Sequence, residues 1–431
     1  MTELNKISVR SPASSANLGA GYDCLALALD GWNDYDLYID PRHLGTLSNG
    51  TLEDEYVFSL EGTYANAIDS MRSASGNLFV QAVEMTLDRL SNMSASRDKD
   101  KIVVLDRYAM MPKYVEQQVE IPPQRGLGSS ASAAVAGVIT ATYVYELIHP
   151  KKGAAKIAKD GKHLTMADVR KDSNFCASLA MHADMCPDNV CASLSGGLTY
   201  AMLRETYKTY TCDGGWLNFY RQDIKHGEDF RVVALIPSQK IETDTARGTV
   251  NSETVDHVHA RFNLCRAAVI PAIFRDRDYK QLKQALRDKL HQDRRAADLY
   301  RGIGPDKKSS SRSINLNAIF ERVIQAGAYG ACISGAGSTL IAFVKNEAEL
   351  INEVERVFRT EFELRARSVP GWGNAHVTVF EASNKGCECV LPGTTPTPAD
   401  QTPTAVQSWL KQSPDRKPFD KGGGGRNPLY K

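Results

Sequence analysis

The chain of 431 residues and 47.3 kDa is long enough for two or three domains, and its 42% hydrophobic and 24% charged residues exclude disorder over the whole length. Fifty-two Lys and Arg against 51 Asp and Glu leave a formal charge of +1, so no global basic field exists to hold a nucleic acid. Nine scattered cysteines in a chain this long point to reduced thiols and a cytoplasmic setting, not to a secreted disulfide scaffold.

The opening MTELNKISVR carries no apolar signal segment. Residues 7–10 read as a strand, followed by the Gly-bearing loop SPASSANLGAGYD and an apolar run over 24–29. Alternation predicts half-buried strands over 35–39 and, more weakly, 57–61. Leu78, Val83, Leu87 and Leu90 recur at helical spacing and predict a helix over 77–90. A polar loop over 94–101 and a strand over 102–105 come next.

The strongest punctuation is IPPQRGLGSSASAA, residues 121–134. Two prolines force extended backbone, two glycines permit left-handed geometry, and small residues then open a helix. That helix, 131–148, has the length of a membrane span, yet Ser132, two Thr, two Tyr and Glu146 make it a buried helix of small residues. No membrane partner is expected. Residues 150–163 read as an exposed excursion, 165–183 as helical, and Gly196 and Gly197 as a turn.

A new unit starts with a strand over 232–236 ending at Pro237. Helices are predicted over 262–274 and 279–290, a polar loop over 306–313, a strand–Gly loop–strand over 331–344, and a last strand over 377–381. Mixed strand and helix order gives the α+β class. The expected division is 1–215, 216–383, and a Pro/Gly-rich disordered tail over 384–431, which holds seven of the eighteen prolines. Cys387 and Cys389 are too few for a metal site.

Binding a phosphate requires several backbone N–H groups aimed at one point with a helix dipole behind them, and RGLGSSASAA supplies these. A Ser hydroxyl at the helix start can ligate Mg²⁺. The Walker ending Gly-Lys-Ser/Thr is missing, and so is the Rossmann spacing.

This segment resembles the central motif of the GHMP small-molecule kinases. VRSPASSANLGAGYDCLALAL (9–29) and CISGAGSTLIAF (332–343) resemble the motifs flanking it, in the same order. The resemblance implies a two-domain GHMP kinase architecture: a ribosomal S5 domain 2-like N-terminal domain and a ferredoxin-like α+β C-terminal domain. It implies ATP and Mg²⁺, with Asn77, Arg125, Gly126, Leu127, Gly128, Ser129, Ser130 and Ala131 around the nucleotide and Ser130 on the metal.

Pro12 to Asp23 lies in register with the first motif of the homoserine kinase branch, P-A-T-S-A-N-L-G-x-G-F-D. CPDNVCASLSGG (186–197), IPSQKIETDTAR (236–247) and RDKLHQDRR (287–295) resemble further segments of that branch. The implied substrate is L-homoserine, phosphorylated on its side-chain hydroxyl in threonine biosynthesis. The implied substrate residues are Asn17, Asp23, Asp188, Asn189, Thr243, Arg247, Arg295 and Gly335, with Ser130, Asp23 and Arg247 closest to the chemistry. Guanidinium suits the carboxylate of a zwitterion, and carboxylate or amide oxygens suit its ammonium. A homodimer is the candidate assembly.

Three departures stand out. The metal-binding Glu that the branch carries ten to twelve residues before D-N-V is absent, leaving Ser130 or a substitute such as Asp184. Cys186 replaces the usual His two residues before Asp188, and Ser338 stands where Pro is common. Another GHMP kinase, or a non-catalytic ligand-binding member, are the alternatives.

Overall fold

Apolar side chains alternate along two sheets, and that alternation builds the protein in layers. The computed structural model describes residues 5–39, 56–93, 113–149, 156–159, 162–203, 217–251, 254–303 and 309–390. The first sheet contains β1 (Asn5–Ala16), β2 (Leu25–Ile39), β3 (Tyr56–Glu61) and β4 (Lys113–Gln118). A separate hairpin, β5 (Lys156–Lys159) and β6 (Lys162–Thr165), is followed by β7 (Leu198–Leu203) and β8 (Leu217–Gln222), which return to the first sheet. Helices α1 (Leu78–Asn92), α2 (Ser129–Ile148), α3 (Met166–Lys171), α4 (Ser173–Asp184) and α5 (Pro187–Ser195) belong to the same half.

The second half contains β9 (Phe230–Pro237), then α6 (Thr243–Asn251), α7 (His257–Asp276), α8 (Leu282–Ala285) and α9 (Gln292–Asp298). The small pair β10 (Arg301–Ile303) and β11 (Ser309–Ser313) precedes α10 (Leu316–Gln325), β12 (Gly330–Ile333), β13 (Leu340–Lys345), α11 (Ala348–Ala366) and β14 (Ala375–Phe380). Its sheet runs β12-β13-β9-β14, all antiparallel, with helices between β9 and β12 and between β13 and β14. This is the split βαβ order of a ferredoxin-like domain.

The two sheets share a core. Along β9, Val232, Ala234 and Ile236 join Leu25, Leu27 and Leu29 of β2 in one buried cluster, while Val233 and Leu235 face the cluster under α10 and α11. Tyr35, Leu37 and Ile39, further along β2, face α1, α2 and α4. Each such Leu, Val or Ile contributes about 1.5–3 kcal/mol relative to exposure, so a continuous apolar seam and not a flexible linker joins the halves. Helix α2 is long and apolar enough to cross a membrane, but 78% of its most apolar window is buried inside the protein. It is a core helix, and its small residues let α1 and α4 pack against it.

Several sequence expectations are corrected. The boundary at 215/216 falls between β7 and β8, which pair with each other; β8 belongs to the first sheet, and the chain leaves it only after Gln222. The tail begins later than 384: β15 (Glu388–Val390) pairs with β1, Asn384 bonds to Ile224 through both its Oδ1 and its Nδ2, and Cys387 and Cys389 pack against the first core. Composition averaged over the tail hid these few ordered residues. The helix expected over 279–290 stops at Ala285, because the backbone turns so that Asp288 can accept bonds from the N–H groups of Leu290, His291 and Gln292. Part of the expected loop 306–313 is β11, and part of the excursion 150–163 is the β5–β6 hairpin. The expected loop 94–101, the strand 102–105 and the tail beyond 390 lie outside the described residues.

One buried amide sets the approach to the central Gly loop. Asn33 Oδ1, on β2, accepts from the backbone N–H groups of Glu120 and Ile121, both at 2.8 Å, and its Nδ2 donates to the Tyr35 hydroxyl at 3.2 Å. Asn33→Ala leaves two backbone donors without their acceptor, at about 1–3 kcal/mol for each group left unsatisfied. We expect a clear drop in the urea midpoint with an unchanged m-value; an unaltered midpoint would show that water replaces the amide at no cost.

Candidate active site

The Gly loop has no freedom to be anything but glycine at two positions. Gly126 (φ +74°) and Gly128 (φ +71°) are left-handed. A Cβ on Gly126 would lie 2.1 Å from the Ser334 carbonyl oxygen, and one on Gly128 would lie 2.1 Å from Ser14 Oγ. Gly128 is also the N-cap of α2, where no side chain caps the first turn and no acidic residue sits in it. A 20-residue helix therefore presents its N-terminal N–H groups and positive dipole end to the space in front of Ser129 and Ser130.

The three sequence motifs converge on this loop. Ser14 N donates to the Leu127 carbonyl at 3.1 Å, and Ser14 Oγ donates to Asn189 Oδ1 at 2.8 Å. Ser334 Oγ reaches both Ser15 Oγ (2.8 Å) and the Gly126 carbonyl (2.6 Å), and Gly335 N donates to the Ala16 carbonyl. From the second half, His291 Nε2 donates to the Gly19 carbonyl at 2.8 Å, and Arg295 donates to the Gly335 carbonyl at 2.7 Å.

Two connected clefts result. A narrow one, about 550 Å³ with its open mouth included, lies between Asn17, Asp23, Asp188, Asn189 and Arg295. A wide one, about 1180 Å³ measured likewise, runs past Asn77, Gln117, Ala133 and Asp184. Gln124, Ser129, Ser130, Thr243 and Arg247 line both, which puts the junction at the start of α2.

The charges are placed unevenly. Pro187 at the first position of α5 puts Asp188 in that helix's first turn, where Oδ1 accepts from Asn189 N at 2.8 Å. The helix end should favour the anion, yet burial and the neighbouring Asp23 outweigh it and push the Asp188 carboxyl up to about 7. Asp188 Oδ2 is buried with no hydrogen-bond partner among the described residues, and so is Arg295 Nε. Asn17 and Asp23 both have left-handed backbone, and Asn17 Oδ1 accepts from Asp23 N at 2.7 Å. Arg247 donates to the Met185 carbonyl at 2.6 Å and to Cys186 Sγ at 3.3 Å, and its charge acts on both Asp184 and Asp188.

Asp184, at the last position of α4, lines the wide cleft beside the Ser130 hydroxyl. Burial raises its pKa, and its Oδ2 has no hydrogen-bond partner among the described residues. A hard-oxygen donor with a spare lone pair next to a serine hydroxyl, at a phosphate loop, fits Mg²⁺.

Three of the expected site residues sit elsewhere or do something else. Arg125 faces away from both clefts: its guanidinium donates to the carbonyls of Pro237, Pro123 and Ser238, clamping the Gly loop to the end of β9. Ala131 is buried in the first core, because the helical turn carries it to the face opposite the loop's anion side. Gly335 lends its carbonyl to Arg295, and Ala336 lines the cleft in its place. Asn77 is both cap and cleft wall: its Oδ1 accepts from Val80 N, and its amide is paired with Gln117. Gln124 and Ser14 were not singled out from the sequence. Only the motif register, where both stand beside chosen residues, carried a signal for them.

Comparison with known proteins agrees with the fold. The family model described as GHMP kinases N terminal domain matches residues 77–197, and that described as GHMP kinases C terminal matches 313–363. The chain belongs to the GHMP kinase superfamily. Among curated relatives, homoserine kinase from Halothermothrix orenii is 26% identical over 347 residues, 80% of this chain and 86% of its own. Homoserine kinase from Aquifex aeolicus is 27% identical over 381 residues, 88% and 98% of the two chains. The crystal structure of homoserine kinase from Cytophaga hutchinsonii superposes with a TM-score of 0.60 at 17% identity, covering 89% of this chain and 97% of that one.

The Asp188 carboxyl makes stability pH-dependent. Its folded pKa of about 7 lies above the unfolded value of about 3.9, so between the two the folded state binds more protons. Its contribution is complete below the unfolded value and is lost as pH rises through about 7. In the ligand-free protein, Asp188→Asn should flatten the fall in Tm across that window; an identical pH profile in the variant would contradict the assignment.

Proposed function

We propose that the protein is a homoserine kinase, transferring the γ-phosphoryl group of ATP to the side-chain hydroxyl of L-homoserine. The observation that carries this reading is the pair of orphaned atoms in the narrow cleft. A buried acceptor, Asp188 Oδ2, and a buried donor, Arg295 Nε, call for a ligand with a cation at one point and an anion at another. An amino acid zwitterion provides both, and a sugar or a hydroxy acid does not. The curated relatives named homoserine kinase support the same substrate.

In this arrangement Asp188 and Asp23 receive the ammonium, and Arg295 receives the carboxylate. The substrate hydroxyl then points to the junction lined by Ser129, Ser130, Thr243 and Arg247. The wide cleft takes the nucleotide, with its phosphates toward the N-terminus of α2. Asp184 and Ser130 would hold Mg²⁺, which would supply charge neutralisation on the phosphate oxygens. Arg247 sits between the two carboxylates and faces both clefts, so it can follow charge that develops between them. Positioning and charge stabilisation suffice for a loose phosphoryl-transfer transition state, and no side chain is assigned as a general base. The eight described cysteines are all free thiols, which accords with a reducing, cytoplasmic setting.

With Mg-ATP, the purified protein should convert L-homoserine to O-phospho-L-homoserine, detected by mass and by ADP release. Turnover of mevalonate, galactose or shikimate without turnover of homoserine would overturn the proposal. Asp184→Ala should raise the Mg²⁺ concentration needed for half-maximal rate by roughly tenfold or more, the scale of one lost charged contact. An unchanged Mg²⁺ requirement would remove Asp184 from the metal site.

The two arginines should separate kinetically. Arg295→Ala leaves the substrate carboxylate without its buried partner, at about 2–5 kcal/mol, expressed mostly in the homoserine KM. Arg247→Ala should lower kcat by about 10²-fold, the scale of one lost transition-state contact, with a smaller change in KM. Equal effects on KM from both would instead make the two residues a joint carboxylate clamp.

A further inference from the structure

We infer that the Tyr22 hydroxyl is a second donor to the carboxylate of the amino acid substrate, acting beside Arg295. The inference rests on the amino acid reading of the narrow cleft.

Tyr22 belongs to the first-motif loop, between Gly21 and Asp23. Its ring is held from two sides. It stacks on the His291 imidazole, with centroids 5.2 Å apart and planes 28° from parallel, and the Arg295 guanidinium lies 5.4 Å from its centroid. His291 is itself fixed, through its bond to the Gly19 carbonyl and its backbone bond to Asp288. The ring therefore has a defined pose before any ligand binds.

Its hydroxyl is shielded from solvent and has no hydrogen-bond partner among the described residues. Arg295 Nε, close to the same ring, shares that condition. Two buried, unpartnered donors on neighbouring side chains fit a carboxylate, whose two oxygens can take one bond from each. The charges that act on the hydroxyl are those of the narrow cleft: Asp23, Arg295, Arg247 and Asp188. Burial pushes the phenol up to about 12, so at neutral pH it is an uncharged donor. The homoserine kinase motif that this loop resembles has Phe at the position of Tyr22. An aromatic ring at this position is thus shared with that pattern, and the hydroxyl is this chain's addition to it.

Tyr22→Phe keeps the ring on His291 and deletes only the donor. Its kinetics with L-homoserine are compared with inhibition by 3-aminopropan-1-ol, which keeps the ammonium and the hydroxyl and lacks the carboxylate. We expect the homoserine KM to rise about tenfold, the scale of a hydrogen bond to a charged group. The KM for ATP, the Ki for 3-aminopropan-1-ol and the melting temperature should stay at wild-type values. An unchanged homoserine KM overturns the inference, and so does an equal weakening of both ligands, which would mean that the hydroxyl serves the ammonium or the loop. A wild-type protein that does not phosphorylate homoserine would instead overturn the proposed function, so the two failures are distinguishable.

Discussion

Everything at the active site depends on one close approach: the backbone of Gly126 against the loop that joins β12 and β13. No side chain fits between the Gly126 Cα and the Ser334 carbonyl, and Ser334 Oγ spans the gap from the Gly126 carbonyl to Ser15. One contact thus ties the central motif, the end of β1 and the second half of the chain together. The shared apolar core behind it, from Leu25, Leu27 and Leu29 to Val232 and Phe343, holds the sheets in the register that this contact needs. The N-terminal end of α2, where the phosphates are proposed to bind, is therefore preformed, which removes ordering cost from ligand binding.

A preformed site built from buried charges selects by what it leaves unpaired. Asp188 and Arg295 are each only 2% exposed, and neither is fully satisfied by protein groups. A neutral sugar in the narrow cleft would leave a carboxylate and a guanidinium desolvated without partners, and such mismatches cost far more than a missing methylene. The same burial, with Asp23 beside it, raises the Asp188 pKa to about 7, so near neutrality the protonated and ionised forms are balanced and a cation tips Asp188 to the carboxylate. Substrate ammonium and carboxylate ionisation are then coupled: the ligand supplies the charge that the empty cleft disfavours.

The glycines, prolines and small residues of the three motifs were legible in the sequence because their backbone demands are local: Gly126 and Gly128 announce left-handed turns, and Pro122 and Pro123 announce the extended approach to them. The strand–loop–strand over 331–344 was legible for the same reason. What could not be read was set by distant partners. Arg125 stands inside the motif, but its donors are taken by carbonyls of Pro237 and Ser238, more than a hundred residues away. Ala131 has the right neighbours and the wrong helical face. The stop of the helix after Ala285 depends on Asp288 accepting bonds that no propensity records. The pairing of Glu388 with Arg10 is a three-residue event within a stretch whose average composition says disorder.

The proposed metal site has a geometric substitute for the missing glutamate in Asp184. The resemblance places a metal-binding Glu some ten to twelve residues before Asp188, on the body of a helix. In this chain α4 runs to Asp184, and Met185 takes a left-handed conformation (φ 58°) that reverses the backbone at once. Asp184 thereby faces the Ser130 side of the junction, while Cys186 and Asp188 continue into the narrow cleft. Arg247 bonds to the Met185 carbonyl and Cys186 Sγ, so it grips the turn that separates the two carboxylates. A carboxylate four residues before Asp188, presented by a tight turn, can occupy the place that a longer side chain on the helix body would reach. In the proposed site, one hydroxyl (Ser130), one carboxylate (Asp184) and one helix N-terminus (α2) then lie together at the junction of the clefts.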